Sequence, residues 1–243
     1  MNQEFNKIFE KYIFSSASNN NFILGLSGGP DSICLLHLLK KFIENNHGVK
    51  INLLPIIVDH SLRKNSDVEA KTVKKYSEDL GFKAKIRRIK QNKPNGNIQN
   101  WARIHRRELL IEEAQKNNSQ LLLAHHYDDQ IETLFMRLIY GSGFSGLLGI
   151  KSIYQWDHIK IIRPLLKFKK EKILKYIQYN NLLYVEDPSN KKISFERVYT
   201  RRLMPLITKE IEKNLESKLE KLSIYSFKLL NVIERKIKSW IKV

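Results

Sequence analysis

Strand-like and helix-like hydrophobic patterns alternate along most of the chain. Short continuous apolar runs have the length of strands buried on both faces, whereas the segments between them place apolar residues three and four positions apart, as on one face of a helix. The segments with strand character are 22–26, 51–58, 83–89, 121–124 and 159–162. The segments with helical character include 30–46, a helix that begins at Ser66, 101–111 and 169–180. This alternation predicts an α/β fold with a doubly wound parallel sheet of about five strands.

The two ends of the chain differ in pattern from the middle. Residues 1–21 combine an amphipathic helix with a polar Ser/Asn linker, which indicates packing rather than chemistry. Residues 22–205 contain all the predicted strands and form the predicted main domain. Residues 206–243 predict a short appendage of one or two basic helices.

Three polar clusters stand directly after predicted strands. They are residues 27–32, 59–63 and 125–132. In a doubly wound sheet, ligands bind beyond the carboxyl ends of the strands, near the point where the strand order reverses. We therefore expect the three clusters to serve ligand binding at that edge of the sheet.

The first cluster, Ser27-Gly-Gly-Pro-Asp-Ser32, joins a strand to a helix. Its glycines let the backbone approach a ligand closely, and Pro, Asp and Ser favour the first turn of a helix. Converging N–H groups and the positive end of the helix dipole suit a phosphate group. The alternative is a tight strand-to-helix turn with an ordinary cap. The cluster has neither the Gly-Lys-Ser/Thr of a Walker loop nor the three-glycine spacing of a dinucleotide-binding loop.

The charge of the chain points to a polyanionic partner. There are 43 Lys+Arg against 25 Asp+Glu, which gives a formal net charge of +18. RNA or DNA is the natural partner of such a chain, although a biased base composition of the genome also enriches Lys, Asn and Ile. The basic tail either contacts RNA or packs on the core.

Composition also limits the expected cellular compartment and the possible roles of cysteine. No apolar run reaches membrane-spanning length and the N-terminus lacks a signal-peptide core, so we expect a soluble, cytoplasmic protein without membrane contact. The single cysteine, Cys34, excludes an intramolecular disulfide and a cysteine-rich metal site, and its place in an apolar helix predicts burial. The oligomeric state is left open, with a homodimer among the options.

The third cluster, His125-His-Tyr-Asp-Asp-Gln-Ile-Glu132, concentrates titratable side chains. Asp129 and Glu132 are three positions apart and share a helix face, where they can converge on Mg²⁺ or on an ammonium group. The neighbouring histidines, His125 and His126, point apart, which disfavours zinc. The alternative is local, with Asp128 capping the helix and the histidines forming nearby hydrogen bonds.

The loop at 27–32 resembles the pyrophosphatase loop of N-type ATP pyrophosphatases, and the ordered set of motifs resembles the tRNA(Ile)-lysidine synthases among them. The resemblance covers roughly residues 20–205. The motifs are Ser27–Ser32, Asp59–Arg63 with Ser66 and Glu69, Gln99–Arg103 with Arg106, His125–Thr133, Leu138–Leu147, Arg163–Leu166 and Glu186–Asn190. The resemblance implies the PP-loop fold, similar to that of the adenine nucleotide α-hydrolases.

The resemblance also implies a reaction, that of an AMP-forming carbon–nitrogen ligase. Members of that family use ATP and Mg²⁺ to attach free L-lysine to the wobble cytidine of the isoleucine tRNA with a CAU anticodon. The cytosine 2-oxygen attacks the α-phosphate and releases pyrophosphate, and the ε-amino group of lysine then displaces AMP.

Residue roles follow from the resemblance. Asp31 and Asp129 are candidates for holding Mg²⁺, and Asp129 with Glu132 for binding lysine. His125 or His126 is expected near the reacting ring. The expected ATP-binding residues are Ser27, Gly28, Gly29, Pro30, Asp31, Ser32, Asp59 and His60. The arginines expected to bind RNA phosphate, ATP phosphate or developing negative charge are Arg63, Arg103, Arg106, Arg163, Arg197 and Arg201.

Three features depart from the family pattern. Val198 follows Arg197 where the family has Asn, and Arg107 follows Arg106 where the family usually has Tyr. Many members also carry C-terminal RNA-binding domains, whereas only a short basic tail follows Pro205 here. We therefore expect a minimal form whose positive charge substitutes for those domains.

Three other functions remain to be weighed against this one. A tRNA thiolase of the same superfamily generally needs reactive cysteines or a cluster, and the chain has only Cys34. An amidating NAD or GMP synthetase-like enzyme is disfavoured by the basic charge and by the 125–132 cluster. A non-catalytic RNA-binding protein is disfavoured by the intact loop at 27–32. Val198, in place of the family's Asn, keeps this alternative open.

Overall fold

The computed structural model describes residues 1–14, 20–48, 50–62, 66–143, 146–185 and 214–241. The described helices are α1 (Asn2–Phe14), α2 (Pro30–Asn45), α3 (Ser66–Asp79), α4 (Ile98–Lys116), α5 (Tyr127–Ile139), α6 (Lys170–Tyr179) and α7 (Leu215–Ile241). The strands are β1 (Asn21–Gly25), β2 (Asn52–Asp59), β3 (Lys85–Arg88), β4 (Gln120–Leu122), β5 (Ile153–Trp156) and β6 (Ile159–Ile162), and a 3-10 turn covers Gly146–Leu148.

The strands form a sheet of six in the order β3-β2-β1-β4-β6-β5. Neighbours pair in parallel, except that β5 runs antiparallel to β6 at the edge. The order reverses between β1 and β4, so the crevice typical of a doubly wound sheet lies at the carboxyl ends of these two strands. The predicted fold class is confirmed, and the five predicted strands are β1, β2, β3, β4 and β6.

The edge strand β5 was not predicted from the sequence. All of its residues, Ile153–Trp156, are exposed, so no buried apolar run marks it. Pairing with β6 in a tight hairpin, rather than hydrophobic pattern, makes this segment a strand.

Both faces of the sheet are covered, because β1 alternates its side chains between two hydrophobic clusters. Phe22 and Leu24 pack with α1, α2 and α6 on one face, while Ile23 packs with Leu110 and Ala114 of α4 on the other. The amphipathic α1 belongs to the first cluster, where Phe9 contacts the rings of Phe22 and Phe42 at 5.6 and 5.1 Å between centroids.

The chain divides into two compact units. The first comprises Met1–His126 and Ser152–Glu186 and contains the whole sheet. The second comprises Tyr127–Lys151 and Asp187–Val243. Within the second unit, Ile131, Leu134 and Phe135 of α5 pack on Leu219 of α7, and Ser223 Oγ donates to the carbonyl of Leu148 at 3.0 Å. Packing of the basic tail is therefore observed for this part of α7.

Some predicted features lie outside the described residues. These are Arg63, Arg197, Val198, Arg201 and the motif 186–190. Across the described ranges, no helix is long and apolar enough to span a membrane.

Candidate functional site

The turn after β1 requires glycine at position 28. Gly28 has φ +82°, and a Cβ there would lie 2.4 Å from Cγ2 of Val73 in α3. The Gly28 carbonyl also accepts a hydrogen bond from Val185 N at 2.9 Å. Left-handed backbone and lack of space together exclude any larger side chain, so the chain passes closely beneath α3 and turns into α2.

The N-terminus of α2 is capped without a side chain. Gly29 is the cap residue, Pro30 occupies the first turn, and no side-chain hydrogen bond covers the cap. Ser32 Oγ donates to the Gly29 carbonyl at 3.0 Å and lies 3.1 Å from Ser27 Oγ, which fixes the two hydroxyl groups beside the helix end. The first N–H groups of a helix have no intrahelical acceptor, and they carry the positive end of the dipole. This is the arrangement that binds phosphate groups at helix N-termini.

Asp31, in the first turn of α2, lies between two groups from other elements. Its Oδ1 accepts a hydrogen bond from Lys170 Nζ at 2.5 Å, and His126 Nε2 is 3.7 Å away. His126 follows β4 and is buried, while Lys170 begins α6. The sequence predicts Asp31 and His126 as site residues, but not Lys170. No local motif marks this lysine, because only the packing of α6 on α2 brings it to the loop.

His125 has a different partner from its neighbour His126. Arg163, directly after β6, donates from Nε to His125 Nδ1 at 3.2 Å. A nitrogen that accepts this bond carries no proton, so a neutral His125 bears its proton on Nε2. The two histidines therefore face different groups at the carboxyl edge, as the sequence predicted.

Arg163 belongs to a group of arginines at the same edge of the sheet. Burial and the nearby charge of Arg103 lower its pKa to about 10. Burial also lowers the pKa of Arg106, which lies one turn from Leu110 on the inner side of α4. Neighbouring guanidinium groups repel each other, and an anion would relieve that repulsion. The structure thus brings Arg103 close to Arg163, which the sequence placed in separate motifs.

Asp59, at the end of β2, organises the second cluster. Its Oδ1 accepts from Ser61 N at 2.8 Å and its Oδ2 from Arg88 Nε at 3.1 Å. Burial opposes ionisation, but these bonds and one from Ser66 lower the pKa of this carboxyl below its ordinary value. Asp59 therefore holds the turn and the start of α3. Its predicted contact with ATP, like that of the half-buried His60, stays a prediction.

Cys34 is fully buried in α2, one turn after Asp31. Burial first, and the charge of Asp31 second, raise the pKa of its thiol. A thiol held protonated in this way is a poor nucleophile.

The carboxylates of the third cluster lie in the second unit, at the start of α5. Asp129 is half-buried and Glu132 is buried. Gln130 has a structural role, since its Oε1 accepts from Ile150 N. Arg137 donates to the carbonyls of Gly146 at 2.5 Å and Gly149 at 3.1 Å. The glycine-rich loop that follows α5 is thus held by this helix at its described end.

Metal binding would need several carboxylate, imidazole or thiolate side chains close together. Within the described residues, no group of three or more His, Cys, Asp or Glu side chains is placed to hold a metal ion. Mg²⁺, however, is usually bound by one or two carboxylates together with substrate phosphates. Asp31, next to a phosphate-type helix N-terminus, fits that mode.

These features define a doubly wound α/β protein with a phosphate-type loop at its switch point. The PP-loop domain model (ATP_bind_3) matches residues 1–207, and the chain belongs to that family.

Curated relatives of this chain are longer than it is. The chain is 39% identical over 205 residues to a tRNA(Ile)-lysidine synthase from Wolbachia pipientis wMel, which covers 83% of this chain and 47% of that one. It is 35% identical over 202 residues to the tRNA(Ile)-lysidine synthase from Bradyrhizobium sp. (strain BTAi1), covering 83% and 56%. The resemblance predicted from the motifs is confirmed, and the chain spans about half the length of these relatives.

A solved structure supports the fold. The U34-tRNA thiolase NcsA from Methanococcus maripaludis, with its [4Fe-4S] cluster, matches with a TM-score of 0.71 at 20% identity. The match covers 91% of this chain and 78% of that one. At this identity the likeness concerns the fold alone.

Proposed function

We propose that this protein is an ATP-dependent tRNA-modifying enzyme that attaches L-lysine to the wobble cytidine of the isoleucine tRNA with a CAU anticodon. One observation carries the proposal. No side chain caps the N-terminus of α2, which follows Gly28 and Gly29 at the switch point of the sheet. Relatives named tRNA(Ile)-lysidine synthase, at 31–39% identity, supply the substrate class.

In the first step, the cytosine 2-oxygen attacks the α-phosphate of ATP, and the bond to the β-phosphate breaks to release pyrophosphate. The first-turn N–H groups of α2 and the Ser27 and Ser32 hydroxyls would hold the phosphates and donate to the charge that develops on them. Asp31 would hold Mg²⁺, which, when bound, neutralises phosphate charge. Lys170, beside Asp31, would position that carboxylate and add a positive charge near the phosphates.

In the second step, the ε-amino group of lysine attacks the activated ring carbon, and AMP leaves with the former 2-oxygen. The ammonium group must first lose a proton to become a nucleophile. We assign binding of this lysine to Asp129 and Glu132, whose spacing on α5 suits a single cationic group. His125, oriented by Arg163, is the proposed partner near the ring, and its Nε2–H can donate a hydrogen bond.

The arginines at the carboxyl edge are the proposed contacts for RNA phosphate. Arg103, Arg106 and Arg163 concentrate positive charge there, and burial lowers the pKa values of Arg106 and Arg163. Loss of the surrounding water strengthens the attraction between a guanidinium group and a phosphate.

The experiment that tests the proposal measures incorporation of radiolabelled lysine into unmodified isoleucine tRNA with a CAU anticodon, in the presence of ATP and Mg²⁺. We expect label that depends on ATP and disappears when the wobble cytidine is changed. Pyrophosphate release without label would retain adenylation but refute lysine as the nucleophile. Neither product would refute the proposed enzyme.

Asp31→Ala tests the loop itself. We expect this variant to lose tRNA-dependent pyrophosphate release, because the carboxylate beside the phosphates is removed. Asp79→Ala, at the exposed end of α3, is the matched control and should release pyrophosphate at the normal rate. Unchanged release by Asp31→Ala would remove this residue from the chemistry.

The buried thiol argues against sulfur transfer as the function. A thiolase mechanism needs an accessible thiolate or a cluster, whereas Cys34 is buried and its pKa is raised. The structural likeness to the thiolase therefore does not favour that activity.

A further inference from the structure

An exposed row of arginine and aromatic side chains lies beside Arg163, at the carboxyl edge of the sheet. It consists of Arg103 and Arg107 of α4 with Tyr154 and Trp156 of β5, and we call it the Arg–aromatic strip. All four residues belong to the first unit. Arg107 and both aromatic residues have no role in the proposed chemistry.

The strand pairing explains why the two aromatic rings share one side of the sheet. Tyr154 pairs with Ile161 and Trp156 with Ile159, and both isoleucines belong to the cluster beneath α4. Side chains directly opposite each other in an antiparallel pair point to the same face. Tyr154 and Trp156 therefore extend the face covered by α4 outward to the edge strand.

The rings are held in place but only partly covered. The Arg107 guanidinium lies 5.1 Å from the centre of the Trp156 ring, and the Tyr154 and Trp156 centroids are 6.2 Å apart with planes tilted by 52°. Tyr154 remains 39% exposed and Trp156 38%. The rings are not stacked on each other, so each keeps accessible surface.

The strip continues into the edge where the reaction is proposed. Arg163 is close enough to both Arg103 and Tyr154 to interact electrostatically with them, and it donates to His125 after β4. A ligand extending from the carboxyl edge of the sheet along α4 would thus pass from Arg163 to the strip.

We propose that the Arg–aromatic strip binds unpaired nucleotides of the tRNA that flank the modified one, with bases stacked on Tyr154 and Trp156 and phosphates on Arg103 and Arg107. Alternating cations and partly exposed rings are how proteins bind single-stranded nucleic acid, because stacking tolerates any base while guanidinium groups neutralise phosphates. A net charge of +18 favours a polyanion over a protein partner. This inference rests on the proposed function, since it identifies how the same substrate is held.

The test measures the affinity of the full chain for a fluorescent anticodon stem–loop with a CAU anticodon, over a range of salt concentrations. Trp156→Ala should weaken binding by about 5- to 150-fold, which corresponds to the loss of one stacked base. Its salt dependence should stay unchanged, because no charge is removed. Arg107→Gln should instead make the log–log salt slope shallower by about 0.7, the effect of one phosphate contact on a single strand.

Two controls separate stacking from folding. Trp156→Phe keeps an aromatic face and should retain most of the affinity. Ile153→Ala changes an equally exposed residue, 42% accessible, on the other face of β5, and should bind like the unaltered chain. Equal weakening by all three strand variants would indicate damage to the hairpin and would overturn the proposal.

Other outcomes also distinguish the hypotheses. Normal stem–loop affinity of Trp156→Ala would overturn the strip while leaving lysine incorporation intact as support for the proposed function. Weakened affinity of Trp156→Ala and Arg107→Gln, with no lysine incorporation by the unaltered chain, would support the strip and refute the proposed function. A change of sedimentation coefficient in Trp156→Ala, with unchanged RNA affinity, would identify a contact between copies of the chain instead.

Discussion

At the residue scale, backbone geometry and contacts between distant residues determine the conformation of the loop at 27–32. Gly28 is required by its positive φ and by Val73, and Asp31 is placed by its contact with Lys170. The need for glycine is visible in the sequence, because two glycines stand between strand and helix. The lysine is not visible, because its partner is 139 positions away.

Gly28→Ala should destabilise the protein and abolish ATP binding. A non-glycine residue at φ +82° is strained, and its Cβ would contact Val73 at 2.4 Å. We expect the free energy of unfolding to fall by about 1–3 kcal/mol, measured by urea denaturation. Gly96→Ala is the control, since nothing lies within 4 Å of its added Cβ. Normal ATP affinity of Gly28→Ala by calorimetry would contradict a close passage of the backbone at the phosphates.

Asp59 should make stability depend on acid pH. Its pKa is lowered in the folded protein, so its contribution is complete above the ordinary carboxyl pKa of about 4 and is lost as the pH falls through the folded value. Asp59→Asn should therefore lower stability at pH 7 by about 1–3 kcal/mol, and the difference should shrink towards pH 3. Urea denaturation of both proteins across this range measures it. A difference in stability that does not change with pH would show that these hydrogen bonds do not favour the ionised form of Asp59.

At the element scale, hydrophobic pattern predicts most strands and helices but not their edges. The parallel strands are found because burial on both faces makes them continuously apolar. β5 was not predicted because its residues are exposed, and it becomes a strand by pairing with β6. The sequence predicts α4 as a helix, whereas the contact between Arg107 and Trp156 depends on how α4 packs on the sheet.

The glycine-rich loop after α5 provides a prediction at this scale. Arg137→Gln removes the charged donor to the Gly146 and Gly149 carbonyls. We expect amide hydrogen exchange at Gly149 and Ile150 to accelerate about tenfold or more, since a hydrogen bond to a charged group contributes about 1.5–3 kcal/mol. Lys221→Gln, on the exposed side of α7, is the charge-matched control. Unchanged exchange in Arg137→Gln would mean that Gln130 alone holds this segment.

At the scale of the whole molecule, net charge governs the expected encounter with RNA. A charge of +18 would attract a polyanion such as the proposed tRNA substrate from a distance.

Affinity for tRNA should fall steeply with salt. Each neutralised phosphate contributes roughly −0.7 to −0.9 to the slope of log affinity against log salt concentration. We expect a slope equivalent to several phosphates, measured by filter binding between low and physiological salt. A slope near zero would contradict electrostatic binding and the proposed role of the charge excess.

The sequence by itself determined the α/β class, the order of elements and the three clusters at strand ends, because these depend on local spacing and on which segments are apolar. It also determined the glycine at position 28, the buried cysteine and the divergence of the two histidines. Only the tertiary structure decided that Lys170 contacts Asp31, that Arg88 donates to Asp59, and that Arg107 lies beside the Trp156 ring. Such pairs depend on how distant helices and strands pack, which local sequence patterns do not encode.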